Sequence, residues 1–285
     1  MLTLPLLCHK GIESCYVSTE LPAFIMGILN VTPDSFWDKS RFSGNQAAEM
    51  ALQMISEGAD IIDIGGESTR PGSEYVNADE ELERIIPVIE QIRRHSECPV
   101  SVDTRKKTVI QQAHIAGADI LNDISAMEDD SEIADYVSLE KLPVILMHKR
   151  GNPAIMQDNT KYEQPLKEVN SYLESRVEYA LKKGISAEKI FLDPGIGFGK
   201  DLDTNIALIK GCSKFCDGKF PVVMGLSRKT CIGQITGRST EERMSGTLAA
   251  NLLAVQYGAK ILRVHDVKQT RDMLCVLEKI GNDCT

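Results

Sequence analysis

Two sets of side chains in this sequence have types that suit one ligand. Asp103, Asn122 and Asp193 combine carboxylate acceptors with an amide that both donates and accepts. Such a set can hold a planar, polar heterocycle carrying several N–H donors. Lys229, Arg263 and His265 are cations suited to a phosphate or pyrophosphate. Gly195-Ile196-Gly197-Phe198-Gly199-Lys200, directly after Asp193-Pro194, adds a glycine-rich loop, which alone is weak evidence for phosphate. It has no Lys-Ser/Thr of a P-loop, and no acidic residue ends the following strand, so nucleotide-hydrolase and dinucleotide readings fall away. No Ser/His/Asp or Cys/His pair suggests nucleophilic catalysis.

Each residue also has a plainer reading. Asp103 could equally N-cap the helix after it. Asn122 could be a turn residue, and Asp193 before Pro194 could simply start a turn. Arg263 or His265 taken singly could be solvated or cap a helix, and His148 reads as structural. Their convergence favours the functional reading, because unrelated surface residues have no reason to follow one strand after another.

Those strands are short apolar runs at Ala23–Leu29, Asp60–Ile64, Pro99–Val102, Asp119–Leu121, Pro143–Met147, Lys189–Leu192, Pro221–Met224 and Lys260–Val264. Near-continuous apolar runs of this length are what a parallel strand covered on both faces requires. Helical patterns lie between them, including Asn45–Glu57, Lys106–Ala116, Glu163–Lys183, Thr240–Tyr257 and Lys268–Ile280, with Met50, Met54 and Ile55 expected in the core. Pro87 is expected to start or kink its helix. Gly58, Gly117 and Gly258 each stand where a helix gives way to a strand. Eight such units with no Ser/Pro/Gly-rich linker predict an α/β fold, a single (β/α)8 TIM barrel spanning 1–285 as one domain. In that fold the carboxyl ends of all strands meet at one face, which gathers Asn30, Glu67-Ser68-Thr69-Arg70, Asp103, Asn122, His148, Asp193, Ser227-Arg228-Lys229, Arg263 and His265 around one mouth.

Composition narrows the partners. The chain has 285 residues, 32 Lys+Arg against 41 Asp+Glu and a net charge of −9, which speaks against nucleic acid. An anionic ligand must then be met by a local basic cluster. No apolar run is long enough for a transmembrane helix, and MLTLPLLCHKGIESC has neither the basic start nor the cleavage site of a signal peptide. The eight cysteines are diluted and irregularly spaced, which suits reduced thiols in a cytoplasmic protein. Cys212 and Cys216 lack the second pair that a zinc site needs.

The motifs resemble the dihydropteroate synthase family, the folate-pathway transferases that sulfonamides inhibit. They run from Met26-Gly27-Ile28-Leu29-Asn30-Val31-Thr32-Pro33-Asp34-Ser35-Phe36 through Ile64-Gly65-Gly66-Glu67-Ser68-Thr69-Arg70-Pro71-Gly72 and Ser101-Val102-Asp103-Thr104. Asn122-Asp123-Ile124, Leu146-Met147-His148, the stretch Asp193 to Lys200, Gly225-Leu226-Ser227-Arg228-Lys229 and Arg263-Val264-His265-Asp266 complete the set. The likeness covers roughly Ala23 to Leu277, and NVTPDSF with GGESTRPG is its most specific part.

The resemblance implies condensation of 6-hydroxymethyl-7,8-dihydropterin pyrophosphate with 4-aminobenzoate, by a dissociative substitution at the pterin methylene, giving 7,8-dihydropteroate and pyrophosphate. It implies that Asp103, Asn122, Met147, Asp193, Lys229 and Arg263 bind the pterin, with Asp103, Lys229 and Arg263 catalytic. Asn30, Arg263 and His265 would bind pyrophosphate, with Asn30 also reaching a Mg²⁺ cofactor. Phe36, Thr69, Arg70, Pro71, Phe198 and Thr230 would shape the 4-aminobenzoate site. A homodimer follows from the same likeness. Two positions depart from the usual pattern: Trp37-Asp38-Lys39-Ser40 replaces a Ser-Asp-Gly-Gly stretch, and Thr230 replaces a Ser while keeping its hydroxyl. A corrinoid methyltransferase of related fold has no use for the basic cluster. A silent pterin-binding paralogue would have lost Asp103, Lys229 or Arg263. A phosphate-binding isomerase would need a Glu/Lys pair that is not evident.

Overall fold

The computed structural model describes residues 1–5, 16–32, 43–68, 76–151 and 160–281. Eight parallel strands follow one another as β3 (Phe24–Asn30), β4 (Ile61–Gly65), β5 (Val100–Asp103), β6 (Ile120–Asp123), β7 (Val144–Met147), β8 (Ile190–Asp193), β9 (Val223–Met224) and β10 (Ile261–Val264). In space they run β8-β7-β6-β5-β4-β3-β10-β9. A parallel bridge between Leu192 and Val222 joins the two ends, and the Leu192 N–H donates to Pro221 O at 3.0 Å. Every predicted strand is present, each beginning one or two residues later than expected, and five of the eight also end later. The result is a (β/α)8 barrel.

The strands are preceded by a hairpin that the sequence pattern did not announce. β1 (Leu2–Pro5) pairs antiparallel with β2 (Tyr16–Thr19). Leu4 is buried and, with Leu2 and Val17, packs against Phe24, Met26, Ile61, Ile120, Ile145, Phe191, Val223 and Ile261. These come from the lower part of the barrel, so the hairpin closes the end opposite the strand tips. Four-residue strands carry too few residues for their alternation to stand out.

Helices link the strands: α1 (Ser43–Ser56), α2 (Ala78–His95), α3 (Lys107–Ala116), α4 (Ile133–Leu139), α5 (Pro165–Lys182), α6 (Leu202–Lys210), α7 (Thr230–Thr236), α8 (Met244–Gln256) and α9 (Val267–Gly281). Pro87 does not start its helix. α2 begins at Ala78, where the Asn77 side chain caps the Glu80 N–H, with acidic residues in its first turn and basic ones in its last. Met54 is buried and Ile55 partly so, but Met50 is 43% exposed and is not a core residue.

The glycines at the helix ends are left-handed as predicted, at φ +100° (Gly58), +118° (Gly117) and +107° (Gly258). Two of these turns share one device. Arg93 from α2 donates Nε to Gly117 O at 2.7 Å and pairs with Asp119, whose carboxylate accepts the Val100 N–H at 2.8 Å. Arg271 from α9 likewise reaches Gly58 O, and the Asp60 carboxylate accepts the Ile25 N–H at 2.8 Å. A Cβ on either glycine would run into that arginine.

Candidate active site

Strand alternation places the chemistry. Outward-facing residues such as Ile25, Ile62, Val102, Leu121, Leu192 and Leu262 pack with the helices in the outer core. Inward-facing residues begin apolar at the base and turn polar two residues further on. Ile61 is followed by Asp63, Ile120 by Asn122, Phe191 by Asp193 and Ile261 by Arg263, while Ser101 leads to Asp103; on β7 alone of these, Ile145 is followed by another apolar residue, Met147. The register sets Asn30 beside Gly65, Gly65 beside Asp103, Asp103 beside Asn122, and Met147 beside Asp193. Of the polar residues expected past the strands, Asn30, Asp103 and Asp193 are last members and Asn122 and Arg263 last but one, where neighbouring backbones hold them rigidly.

Arg263 links this ring across the barrel. Its Nε donates to Asp63 at 2.6 Å and its Nη2 to Asp103 at 3.0 Å. Asp63 is fully buried and also accepts from Asn122 Nδ2 at 3.2 Å. Asp63 is not among the residues singled out from sequence, because it lies within β4, short of the strand ends where those residues stand. A lone carboxylate in Ile61-Ile62-Asp63-Ile64, on the inward parity, was the available signal.

Burial in this cluster pushes the Asp103 carboxyl up to about 7, with the Arg263 guanidinium pulling the other way and Asp63 adding to the rise. Burial likewise raises Asp193, against the Gly195 N–H and Lys229. Burial lowers Lys229 to about 8, opposed chiefly by Asp193. Burial would lower the Arg263 guanidinium too, but Asp63 and Asp103 outweigh it and leave a firmly held cation. Carboxylates and cations thus share one confined space, where their interactions are screened less than in water.

Two further contacts stitch the basic motifs together. Ser227 Oγ lies 3.0 Å from His265 Nδ1 and accepts the His265 N–H at 3.2 Å. Arg228 donates to Asp266 through Nε (3.1 Å) and Nη2 (2.6 Å), with a left-handed backbone at φ +56°. Arg228 is therefore committed to the scaffold, whereas Lys229 stands over the Phe198 ring at 4.4 Å. Thr230 follows Lys229 as the first residue of α7.

The glycine-rich loop is held from below. Lys200 is buried and donates Nζ to His148 O (3.2 Å), Gly195 O (2.9 Å) and Phe198 O (3.0 Å). Three carbonyls use all three ammonium donors. Gly195 has φ +66°, and a Cβ there would collide with the His148 carbonyl oxygen, so this position requires glycine. The Phe198 backbone is held at both ends, its N–H donating to Gly195 O at 3.1 Å and its carbonyl accepting from Lys200.

The plainer readings resolve unevenly. Asp103 does not cap a helix: Lys106 occupies that place before α3, without a side-chain bond. Asn122 lies on β6 rather than in a turn. Asp193 does accept the Gly195 N–H at 2.6 Å, so a turn role coexists with its place in the ring. His148 is buried, edge-on to Tyr162 and Tyr172, and burial lowers it to about 3. The structure brings together Asn30, Asp103, Asn122, Met147, Asp193, Phe198, Lys229, Thr230, Arg263 and His265 at one end of the barrel. Phe36, Thr69, Arg70 and Pro71 lie outside the described residues, as does Trp37-Asp38-Lys39-Ser40.

Residues 26–265 match the family described as pterin binding enzyme. The chain is 44% identical over 259 residues to dihydropteroate synthase of Haemophilus influenzae, covering 90% of this chain and 94% of that one. Among solved structures, Xanthomonas albilineans dihydropteroate synthase with 4-aminobenzoic acid aligns with TM-score 0.89 at 40% identity, covering 98% of this chain and 99% of that one. The same organism's enzyme in complex with 7,8-dihydropteroate aligns with TM-score 0.82 at 37% identity, covering 93% and 95%. Barrel and relatives agree: the chain belongs to the dihydropteroate synthase family of pterin-binding enzymes.

Proposed function

We propose that the strand-end ring holds 6-hydroxymethyl-7,8-dihydropterin pyrophosphate while 4-aminobenzoate attacks its methylene. Asp103, Asn122, Asp193 and Lys229 take the pterin, with Met147 lining its pocket and Arg263 flanking the ring. Arg263, His265 and Asn30 take the pyrophosphate. Phe198 and Thr230 take the aminobenzoate, together with Phe36, Thr69, Arg70 and Pro71. The observation that carries this reading is the Arg263–Asp103 contact at 3.0 Å, which puts an anion receptor beside a carboxylate in one pocket.

The reaction breaks the bond from methylene carbon to pyrophosphate oxygen and forms one from that carbon to the arylamine nitrogen, which loses a proton. In a dissociative course, positive charge develops on the methylene and spreads into the pterin. The Asp103 carboxylate is placed to offset that charge, and Arg263 and His265 stabilise the departing anion. The amine then attacks a positioned centre, so no strong base is needed.

Mg²⁺ fits the donors present. A Cβ at Gly65 would stand 3.6 Å from Asn30 Oδ1 and 3.9 Å from Asp103 Oδ2, so two hard oxygens flank one space that glycine leaves open. Mg²⁺ characteristically takes one or two protein oxygens and completes its shell with water and substrate phosphates. Bound there through Asn30, it would neutralise charge on the pyrophosphate. Mixing the purified protein with both substrates and Mg²⁺ should yield dihydropteroate and pyrophosphate in equal amounts, and adding EDTA should raise KM for the pterin substrate. No product from folded protein would sink the activity, and an EDTA-insensitive KM would remove the metal.

We also propose a cytoplasmic homodimer. Across Met244–Gln256, α8 carries no charged residue, and it exposes Leu253, while neighbouring α9 exposes Val276 and Ile280. An uncharged helix that turns Thr247 and Asn251 inward and leaves Leu253 outside favours cover by a second copy. Sedimentation should show a dimer that Leu253→Asp splits; a monomeric parent chain contradicts this. None of the described helices is long and apolar enough to cross a membrane. Cys98, Cys212, Cys216, Cys231 and Cys275 are free thiols, which suits a reducing compartment.

A further inference from the structure

Asp63 has none of the roles above, yet its buried carboxylate meets two site residues at once, Arg263 and Asn122. Burying a carboxylate at the centre of a barrel is costly. Arg263 already has Asp103 as a partner, so charge pairing alone gives little reason for a second carboxylate. The added contact that Asp63 makes is to the Asn122 amide. A carboxylate beside a guanidinium only accepts hydrogen bonds, so Asn122 must turn its nitrogen toward Asp63. The amide's oxygen and second hydrogen remain for a ligand.

We propose that Asp63 is a positioning residue for the pterin ring. It locks the Asn122 amide in one orientation, so that a fixed acceptor and donor meet the ring edge, while Arg263 keeps Asp103 as a partner with or without it. Without Asp63 the amide can turn over, exchanging donor and acceptor, and half of its orientations then oppose ring atoms of the wrong kind. This proposal rests on the assignment of Asn122 to the pterin.

Titration calorimetry of the full chain with 6-hydroxymethylpterin, which lacks the pyrophosphate, tests it. Asp63→Asn should weaken binding by about tenfold or more, the loss expected for a misdirected hydrogen bond in a buried site. Asn122→Ala should weaken it similarly, and the double variant should bind no worse than Asn122→Ala, because Asp63 acts on the ring through Asn122. In steady-state assays of Asp63→Asn, KM for the pterin substrate should rise while KM for 4-aminobenzoate holds. Unchanged ring binding, or effects of the two substitutions that add, would overturn the proposal. If Asp63→Asn does not fold, Asp63→Ser is measured in the same way. Failure of both to fold would make Asp63 purely structural and also overturn it. Lack of ring binding by the parent chain would instead count against the pterin site itself.

Discussion

Substituting Asp103 by Asn is expected to lower kcat by on the order of 10²–10³ with the fold intact, the effect of losing one preorganised charge at a developing transition-state charge. The amide keeps the shape of the carboxylate and removes its charge. Arg263 keeps Asp63 as a partner at 2.6 Å, so no buried cation is stranded. Burial lifts the Asp103 carboxyl to about 7. A carboxyl raised on folding binds protons more tightly in the native state, so its ionised form opposes folding above that pH. Asp103→Asn should therefore melt no lower than the parent chain at alkaline pH. In the parent chain, kcat/KM should decline as pH falls through about 7 and Asp103 takes up a proton. The Asn variant should lose that acid limb. Rate profiles and melting curves across neutrality decide the matter; near-normal turnover by Asp103→Asn would end the assigned role.

Arg263→Ala has a different signature, because it damages stability and binding together. It leaves two carboxylates facing one barrel interior, Asp63 fully buried and Asp103 nearly so, without the cation between them. Breaking a buried pair in this way costs about 3–5 kcal/mol. Losing a charge-assisted contact to the pyrophosphate should weaken binding of the pterin substrate by a further ~10–100-fold. Arg263→Lys should restore part of the stability and less of the affinity, since a single ammonium cannot reach two carboxylates and an anion with the geometry of a guanidinium. Denaturant titration and calorimetry separate the two losses. A variant as stable as the parent chain, with unchanged substrate affinity, would contradict both.

Much of the barrel was legible because a parallel strand buried on both faces must be apolar for four or five residues, and helices must lie between such strands. That rule placed Asp103, Asn122, Asp193 and Arg263 at strand ends before any contact was known. It erred where burial is not uniform. Met50 has the spacing of a core residue yet sits at the edge of the buried face of α1. Of the two places expected for Pro87, the start of its helix is excluded, because α2 begins nine residues earlier at Ala78. The hairpin of Leu2–Pro5 and Tyr16–Thr19 escaped notice because its strands meet across ten intervening residues and owe their burial to the barrel floor.

The sequence by itself determined the barrel, the end at which its chemistry collects and the charge types found there, since alternation and strand–helix order follow from local residue type. Which of these groups touch is a property of the folded chain alone. Arg263 and Asp63 are separated by 200 positions along the chain. Their meeting depends on the closure of eight strands, and on a low-polarity interior in which a buried carboxylate must find a cation or an amide. Pairing of that kind is set by three-dimensional proximity, on which the order of residues is silent.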